Sequence, residues 1–194
     1  PGSVSMASSG SMSAPIVFSA YGLGSMPVIT GTTTVTGWIA VSSGLYKATL
    51  TKRPAMLTWD GKPLTLARTP NHGYRTIGAV VDSYFQFIDS SAVGGPDWTG
   101  AFMQVRTSNY TVTVKKVTAF DQASGRFTMT SAPGMPMGYR MVSGYGYFLN
   151  DHFSALDTVG EWYYDSATQT VYLRPPVAEN PAGHAVCGST EAYG

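Results

Sequence analysis

One short loop, RTPNHGYR, concentrates the side chains that are best suited to recognise a sugar. Proteins bind sugars with a flat apolar surface that covers the ring and with planar polar groups that meet the hydroxyls. The loop supplies an aromatic ring from Tyr74, and Trp98 in the loop GGPDWTG offers a second stacking plane. The planar polar groups belong to Arg68, Asn71, His72 and Arg75. We predict that these residues bind a ligand; the alternative is that Arg68, Tyr74 and Trp98 only pack against the sheets.

Four carboxylates, Asp151, Asp157, Glu161 and Asp165, form the densest acidic cluster of the chain. A glycosidase needs two carboxyl groups that flank the glycosidic bond. Structural roles explain these four better. We expect Asp151 to cap a short helix, Asp157 and Asp165 to lie at turns, and Glu161 to pair across a hairpin. No catalytic residue is therefore predicted.

Metal and cofactor chemistry has little support in the sequence. His72, His152 and His184 lack the short spacing to one another or to Cys187 that zinc sites show. No Gly-rich turn leads into a helix with Lys at the spacing of a phosphate loop. We predict no cofactor, although a structural calcium ion bound by loop carboxylates and carbonyls stays open.

Charge and hydropathy exclude several classes of partner. The net charge is +1, charged residues make up 12% of the 194 residues, and the Lys and Arg residues are scattered. Nucleic acids and anionic membranes require a concentrated basic surface, so we predict neither as a partner. No apolar run reaches the 18 residues of a membrane span. The single cysteine, Cys187, cannot form an internal disulfide and is expected to be a spare thiol.

The pattern of apolar and turn-forming residues predicts an all-β protein. Segments of strand-like composition recur between Gly, Asp, Asn and Ser turns, and Asp60-Gly61 is a strong hairpin signal. The residues 150–159 alone compete for a helix, of about two turns. We predict an antiparallel β-sandwich or distorted barrel with one short helix. The predicted strands include residues 16–18, 27–29, 32–41, 44–50, 56–59, 63–67, 84–89, 100–107, 110–120 and 126–130.

Two finer predictions concern individual side chains in these strands. In YTVTVKKV, Tyr110, Val112 and Val114 share one face and Thr111, Thr113 and Lys115 the other, as expected for a strand with one wet side. The tryptophans Trp38, Trp59 and Trp162 lie inside strand patterns, so we expect them to be buried.

The chain divides into three parts by composition. Residues 1–13 are rich in Gly, Ser and Met and resemble a linker or a segment added for expression, without the features of a signal peptide. Residues 14–178 are predicted to form one all-β domain, and residues 179–194 a C-terminal tail.

Three blocks of the sequence resemble a known group of proteins. The blocks cover Tyr21 to Gly31, Asp60 to Asn71 and Leu156 to Pro176. They are similar to the patterns YG-G-PVI-G, DG-L-ARYPN and LD-PGEWYYD-T-LY-PP of large secreted bacterial proteins built on a right-handed parallel β-helix. Many members of that group are glycoside hydrolases or other polysaccharide-active enzymes. Thr69 and Val159 depart from the group, which often has an aromatic and a proline at these positions.

The resemblance implies a fold, a location and a function. It implies an inserted β-domain with a β-helix-like N-terminal edge, in which GEWYYD locks the insert onto the β-helix of a parent protein. The coils that carry the catalytic carboxylates in the group are absent. We therefore expect a secreted or cell-surface bacterial accessory domain that binds polysaccharide or oligosaccharide, or shapes the substrate cleft of its parent, without cleaving the glycan. The alternatives are a purely structural insert and part of a glycoside hydrolase or polysaccharide lyase.

Overall fold

The computed structural model describes residues 6–24, 30–131, 134 and 139–190. Across these residues the chain forms short β-strands and three single 3₁₀ turns, at Ser90–Ala92, Phe153–Ala155 and Pro181–Gly183. The strands are β1 (Thr32–Thr34), β2 (Ile39–Ser42), β3 (Leu45–Thr49), β4 (Leu57–Trp59), β5 (Lys62–Pro63), β6 (Thr65–Leu66), β7 (Arg68–Thr69), β8 (Arg75–Thr76), β9 (Ala79–Asp82), β10 (Gln86–Ile88), β11 (Phe102–Arg106), β12 (Val112–Asp121), β13 (Arg126–Ser131), β14 (Gly146–Asn150), β15 (Glu161–Asp165), β16 (Thr170–Leu173) and β17 (Val186–Ser189). The predicted all-β class is confirmed.

The strands form three sheets within the described part of the chain. The large sheet has the order β7-β14-β11-β12-β13-β10-β9, with β8 also paired to β14. The five-stranded sheet has the order β2-β3-β16-β15-β6, and the four-stranded sheet has the order β1-β17-β4-β5. Pairing is antiparallel except between β15 and β6, which run parallel.

The five-stranded and four-stranded sheets pack face to face as a small sandwich. Leu57 and Trp59 of the four-stranded sheet share one core with Trp162 and Leu173 of the other. Trp162 is 2% exposed, and Trp59 is also buried, so both burial predictions are confirmed. Trp38 is half-buried, and its ring N–H donates to the Val35 carbonyl at 3.1 Å.

The large sheet curls around a second core. Phe87 on β10 and Tyr147 on β14 are separated by three strands in the sheet order, yet their ring centroids lie 4.9 Å apart. Curling therefore brings distant strands into contact. The strands at the two ends, β7 and β9, do not pair, so the sheet is open and does not close into a barrel.

The hairpin at Asp60-Gly61 is confirmed. β4 and β5 pair antiparallel across it, and the two turn residues have φ values of 49° and 78°. Two consecutive positive φ angles define the turn that matches the twist of a two-residue hairpin, and glycine adopts this conformation without strain.

On β12 the alternation of faces is confirmed, but the more polar face is the buried one. Thr113, Lys115 and Val117 point into the core, whereas Val112 is 54% exposed. The Lys115 ammonium lies 5.3 Å from the centroid of the Phe85 ring. Burial lowers the pKa of Lys115, and the charge of Asp82 opposes this effect. Alternation alone fixes which residues share a face, and the curl of the sheet decides which face is inside.

The predicted two-turn helix over residues 150–159 is wrong, because only one 3₁₀ turn forms there. Its cap is His152, whose Nδ1 accepts from the Ser154 N–H at 3.3 Å. Asp151 does not cap the turn. Its backbone has a φ of 57°, and its carboxylate faces Arg53, with Nη2 at 2.9 Å from Oδ1.

The two ends of the described chain differ from expectation. Residues 16–18 form no strand, and Val17 and Phe18 are exposed. The predicted strand at residues 27–29 lies outside the described residues. Within the segment predicted as a tail, β17 occupies an inner position of the four-stranded sheet, between β1 and β4. The β-helix-like edge and the division into three parts stay predictions.

Candidate functional site

Arg68 shapes the loop in which it lies. Its Nε donates to the Pro70 carbonyl at 3.0 Å, and its Nη2 donates to the Gly73 carbonyl at 2.7 Å. The guanidinium also stacks over Phe148, with Cζ at 4.0 Å from the ring centroid. Much of the hydrogen-bonding capacity of Arg68 is therefore used to fold the loop, rather than being left for a ligand.

Asn71 fastens the same loop to the segment before β15. Its Nδ2 donates to Asp157 Oδ1 at 2.9 Å and to Thr158 Oγ1 at 3.0 Å. Both donor positions of the amide are thus occupied. The amide oxygen is buried without a hydrogen-bond partner in the structure.

Arg75 and Trp98 are directed towards the interior of the large sheet. Arg75 faces a buried pair in which the Tyr147 hydroxyl donates to Asp89 Oδ2 at 2.6 Å. Burial raises the pKa of Tyr147, Asp89 adds to this rise, and Arg75 opposes it. Trp98 is 3% exposed and belongs to the core of the large sheet. The prediction of a second stacking plane at Trp98 is therefore wrong: its loop closes over the core, where its large apolar ring is better buried.

Tyr74 and His72 are the exposed members of the predicted set. Tyr74 is 65% exposed, and its ring centroid lies 5.9 Å from that of Phe148 at an angle of 55°. It lies close above Gly146: a Cβ at Gly146 would come within 3.0 Å of the Tyr74 Cβ. The absence of a side chain at Gly146 thus lets the loop place Tyr74 against β14.

Phe148 connects the loop to the outer face of the large sheet, which is the face directed away from its core. On β11, Met103 and Val105 point inward, so Phe102 and Gln104 point outward. Strand register places Phe102 opposite both Asn150 and Lys116, and Gln104 opposite Phe148. The outer face from β7 to β12 therefore carries Arg68, Phe102, Gln104, Lys116, Phe148 and Asn150.

A cleft of about 530 Å³ lies where this outer face meets β15. We name it the β11 cleft. It combines two half-buried aromatic rings with amide and charged groups on several strands and loops. Its polar and aromatic lining includes the side chains of Arg53, Phe102, Gln104, Lys116, Asn150, Asp151 and Tyr163.

Two acceptor atoms at the β11 cleft have no hydrogen-bond donor. Asn150 Oδ1 and Asp151 Oδ1 are buried without such a partner in the structure. Arg53 Nη2 lies 2.9 Å from Asp151 Oδ1, so the two groups form an ion pair, but the contact lacks the alignment of a hydrogen bond. Hydroxyl groups of a ligand are donors that such acceptors can accommodate.

The carboxylate of Glu161 is a structural anchor. It is buried and accepts from the backbone N–H groups of Arg68 and Asp157 at 3.2 Å and of Thr158 at 3.3 Å. Burial raises the pKa of Glu161, and these three hydrogen bonds oppose the rise. Its backbone carbonyl accepts from the Arg174 N–H across the hairpin, so the pairing predicted for Glu161 involves the backbone, and the side chain points elsewhere.

The other acidic residues also have local partners. Asp165 lies at the β15–β16 turn, as predicted, and accepts from the Ala167 N–H at 2.9 Å and from Thr168 Oγ1 at 2.7 Å. Asp157 precedes the turn at 158–160 and accepts from Asn71. Among the acidic residues that the structure describes, Asp151 alone lines the β11 cleft.

A separate polar cluster ties the start of β17 to the β4–β5 turn. His184 Nδ1 lies 2.8 Å from Asp60 Oδ2, and Nε2 lies 2.8 Å from Glu179 Oε2. The imidazole stacks on Trp59 with ring centroids 4.0 Å apart. Hydrogen bonds to Asp60 and Glu179 raise the pKa of His184, and the bond to His184 lowers that of Asp60.

Within the described residues, no group of three or more His, Cys, Asp or Glu side chains is arranged to hold a metal ion. In the same part of the chain, no helix is long and apolar enough to cross a membrane. The absence of a cofactor therefore stays a prediction, as does the alternative of a structural calcium ion.

The loop was visible in the sequence, but most of the β11 cleft was not. Phe102, Gln104, Lys116 and Asn150 come from three strands that are distant in sequence, and only strand register brings them together. The available signal was the pattern in GAFMQVRT and GYFLND, where apolar core positions alternate with aromatic or amide residues.

The fold and the cleft together define an all-β, sandwich-like domain with an open polar surface. No family model matches the sequence, and no curated protein is significantly similar to it. Among solved structures, a chain described as "Glycoside hydrolase" superposes with a TM-score of 0.67 at 19% identity, over 81% of this chain and 31% of that chain. At this identity the similarity concerns the fold. This chain spans less than a third of the longer protein.

Proposed function

We propose that this chain is a non-catalytic carbohydrate-binding domain that accompanies the active region of a secreted, polysaccharide-active protein. The observation that carries the proposal is the composition of the β11 cleft. Phe102 and Tyr163 offer rings for stacking, and Gln104, Asn150 and Arg53 offer planar polar groups for hydroxyls. Together these groups could bind a sugar chain that lies across the sheet.

The loop predicted from the sequence contributes its exposed ring to the same surface. Tyr74 contacts Phe148, which is the cross-strand neighbour of Gln104. Residues on diagonally opposed positions of adjacent strands are roughly 7 to 8 Å apart, so Phe148 and Phe102 lie near enough to serve successive sugar units. Arg68 and Asn71 support this surface by holding the loop, and His72 remains a candidate contact.

The distribution of carboxylates argues against hydrolysis by this chain alone. Glycoside hydrolysis generally needs two carboxyl groups on opposite sides of the scissile bond. Asp151 is the single carboxylate among the residues that line the β11 cleft, and it is paired with Arg53. Glu161 and Asp165 are engaged by backbone and turn donors. The bond-breaking step therefore belongs to another part of the parent protein.

The described structural neighbour gives this proposal its context. A chain similar in fold to this one, of which the match covers 31%, is described as a glycoside hydrolase. From the resemblance of the three sequence blocks, we infer that this domain sits beside the β-helix of a parent protein and holds or shapes its polysaccharide substrate. A purely structural insert is the second candidate, since Arg68, Asn71 and Arg75 all make internal contacts.

Affinity electrophoresis through gels that contain plant, algal and bacterial polysaccharides tests the proposal. We expect retardation in at least one gel, without new reducing ends. Phe102→Ala should abolish the retardation while leaving the melting temperature within a few degrees. Tyr110→Ala is the matched control, because Tyr110 is 97% exposed and does not line the cleft. Free migration of the wild-type chain in every gel would support the structural insert, and new reducing ends would restore the enzymatic alternative.

A further inference from the structure

The charges around the β11 cleft are predominantly positive. Arg53 and Lys116 line the cleft, and their only acidic counterpart among its lining residues is Asp151. Arg68 and Arg106 add two more cations to the outer face of the same sheet. The whole chain has 12 basic and 11 acidic residues. The cleft and the outer face beside it therefore carry four cations, against Asp151 in the lining and Asp165, whose charge also reaches Tyr163. Positive charge is in excess there.

Of the two cations that line the cleft, Lys116 is the one without a carboxylate partner among the described residues. Arg53 forms an ion pair with the Asp151 carboxylate, and the Arg68 guanidinium donates hydrogen bonds to backbone carbonyls of its own loop. Among the described residues, no carboxylate forms an ion pair with Lys116. Its ammonium lies 5.8 Å from the centroid of the Phe102 ring. A sugar stacked on Phe102 would therefore place its ring substituents beside this ammonium.

We propose that the β11 cleft selects polysaccharides that carry an anionic group, either a carboxylate or a sulfate ester, and that Lys116 is the residue that determines this preference. The inference rests on the proposed carbohydrate-binding function and adds the chemical class of the ligand. Charge complementarity favours this occupant over a second copy of the chain, because two copies facing each other would oppose the same four cations.

The aromatic residues and the cation of the cleft are expected to recognise different parts of a sugar. Phe102 and Tyr163 bind the apolar face of the ring, which neutral and acidic sugars share. Lys116 favours an anionic substituent over a hydroxyl, because its ammonium attracts the opposite charge and hydrogen bonds that involve ionised groups are roughly twice as strong as those between neutral groups. Lys116 is half-buried, so part of the charge is shielded from salt, and binding should weaken but persist at moderate ionic strength.

Two matched pairs of polymers test the inference. The first pair is polygalacturonate and the same polymer with its carboxyl groups reduced to alcohols; the second is dextran sulfate and dextran. Dissociation constants are measured by isothermal titration calorimetry with the full chain. We expect the acidic member of at least one pair to bind about tenfold more tightly than its neutral partner. The pair that shows the preference identifies carboxylate or sulfate as the group recognised.

Variants at Lys116 separate specificity from general binding. Lys116→Met should lose about tenfold in affinity for the acidic polymer and leave the neutral polymer unchanged, whereas Lys116→Arg should retain the preference. Lys62→Met is the control, since Lys62 is an exposed cation on β5 of the four-stranded sheet. Melting temperatures of all variants are compared with the wild type to exclude unfolding.

The outcomes distinguish the two proposals. Equal affinity for acidic and neutral polymers, or an equal loss on both in Lys116→Met, would overturn the acidic preference and leave the carbohydrate-binding function intact. Binding to no glycan would overturn the proposed function itself. Self-association in sedimentation that Phe102→Ala abolishes would assign the outer face to a second copy of the chain and overturn both.

Discussion

Glu161→Ala removes the acceptor that joins three backbone segments. The carboxylate receives N–H groups from Arg68, Asp157 and Thr158 at 3.2 to 3.3 Å. An unsatisfied buried donor costs about 1 to 3 kcal/mol. These bonds are long and their donors are only partly buried, so the lower end applies to each. The expected loss in the free energy of unfolding is roughly 3 kcal/mol.

Urea unfolding followed by tryptophan fluorescence measures this loss. A loss of about 3 kcal/mol corresponds to a fall in melting temperature of roughly 6 to 12 °C for a domain of this size. Asp165→Ala is the matched control, because it removes a carboxylate from the same strand that serves only the local turn. We expect it to cost about 1 kcal/mol. Equal losses in the two variants would refute the anchoring role of Glu161.

The same residue predicts a pH dependence. Burial raises the pKa of Glu161 above its ordinary value of 4.5, so the folded state retains the proton at a pH where the unfolded chain has released it. Its contribution to stability therefore decreases as pH rises from 4.5 through the folded-state pKa. Glu161→Gln cannot titrate, and subtracting its stability profile from that of the wild type should isolate this slope. A difference of the opposite sign would contradict the assignment.

Three further perturbations test other parts of the structure. Trp162→Ala should cost about 3 to 5 kcal/mol, because it empties the core between two sheets, and an unchanged melting temperature would disprove the packing. Lys115→Met removes a fully buried cation and takes away the partner charge that Asp82 feels, so it should cost about 1 to 3 kcal/mol; an unchanged melting temperature would refute a stabilising role for Lys115. The pKa of His184 is raised by Asp60 and Glu179, so its stabilising effect is complete below pH 6.5 and lost as pH rises through the folded-state pKa. His184→Phe keeps an aromatic ring on Trp59 and should abolish that decline in stability. If the variant loses stability above pH 6.5 as the wild type does, the role of the His184 charge is refuted.

Local patterns predicted the elements well where one side chain or one turn decides the conformation. The two residues Asp60-Gly61 suffice to predict their hairpin, and the large apolar side chain of Trp162 suffices to predict a core position. The short helix failed because its residues meet stronger partners: Asp151 pairs with Arg53, which is about a hundred residues away in sequence. Competition from such distant groups is invisible in a local window.

The candidate site illustrates the same limit in a different way. The residues around Tyr74 are contiguous in sequence, so their composition indicated a candidate loop. Composition could not reveal that Arg68 and Asn71 form hydrogen bonds within the protein. Trp98 was misjudged because a loop was equated with exposure. The β11 cleft depends on register between β11, β12 and β14, which is a property of the assembled sheet.

The pairing of β1 with β17 places the first and the last of the described strands next to each other. Thr32 pairs with Ser189, and Thr34 pairs with Cys187, so the chain enters and leaves the folded body side by side. A body with adjacent entry and exit points interrupts a host chain without separating the host segments that flank it.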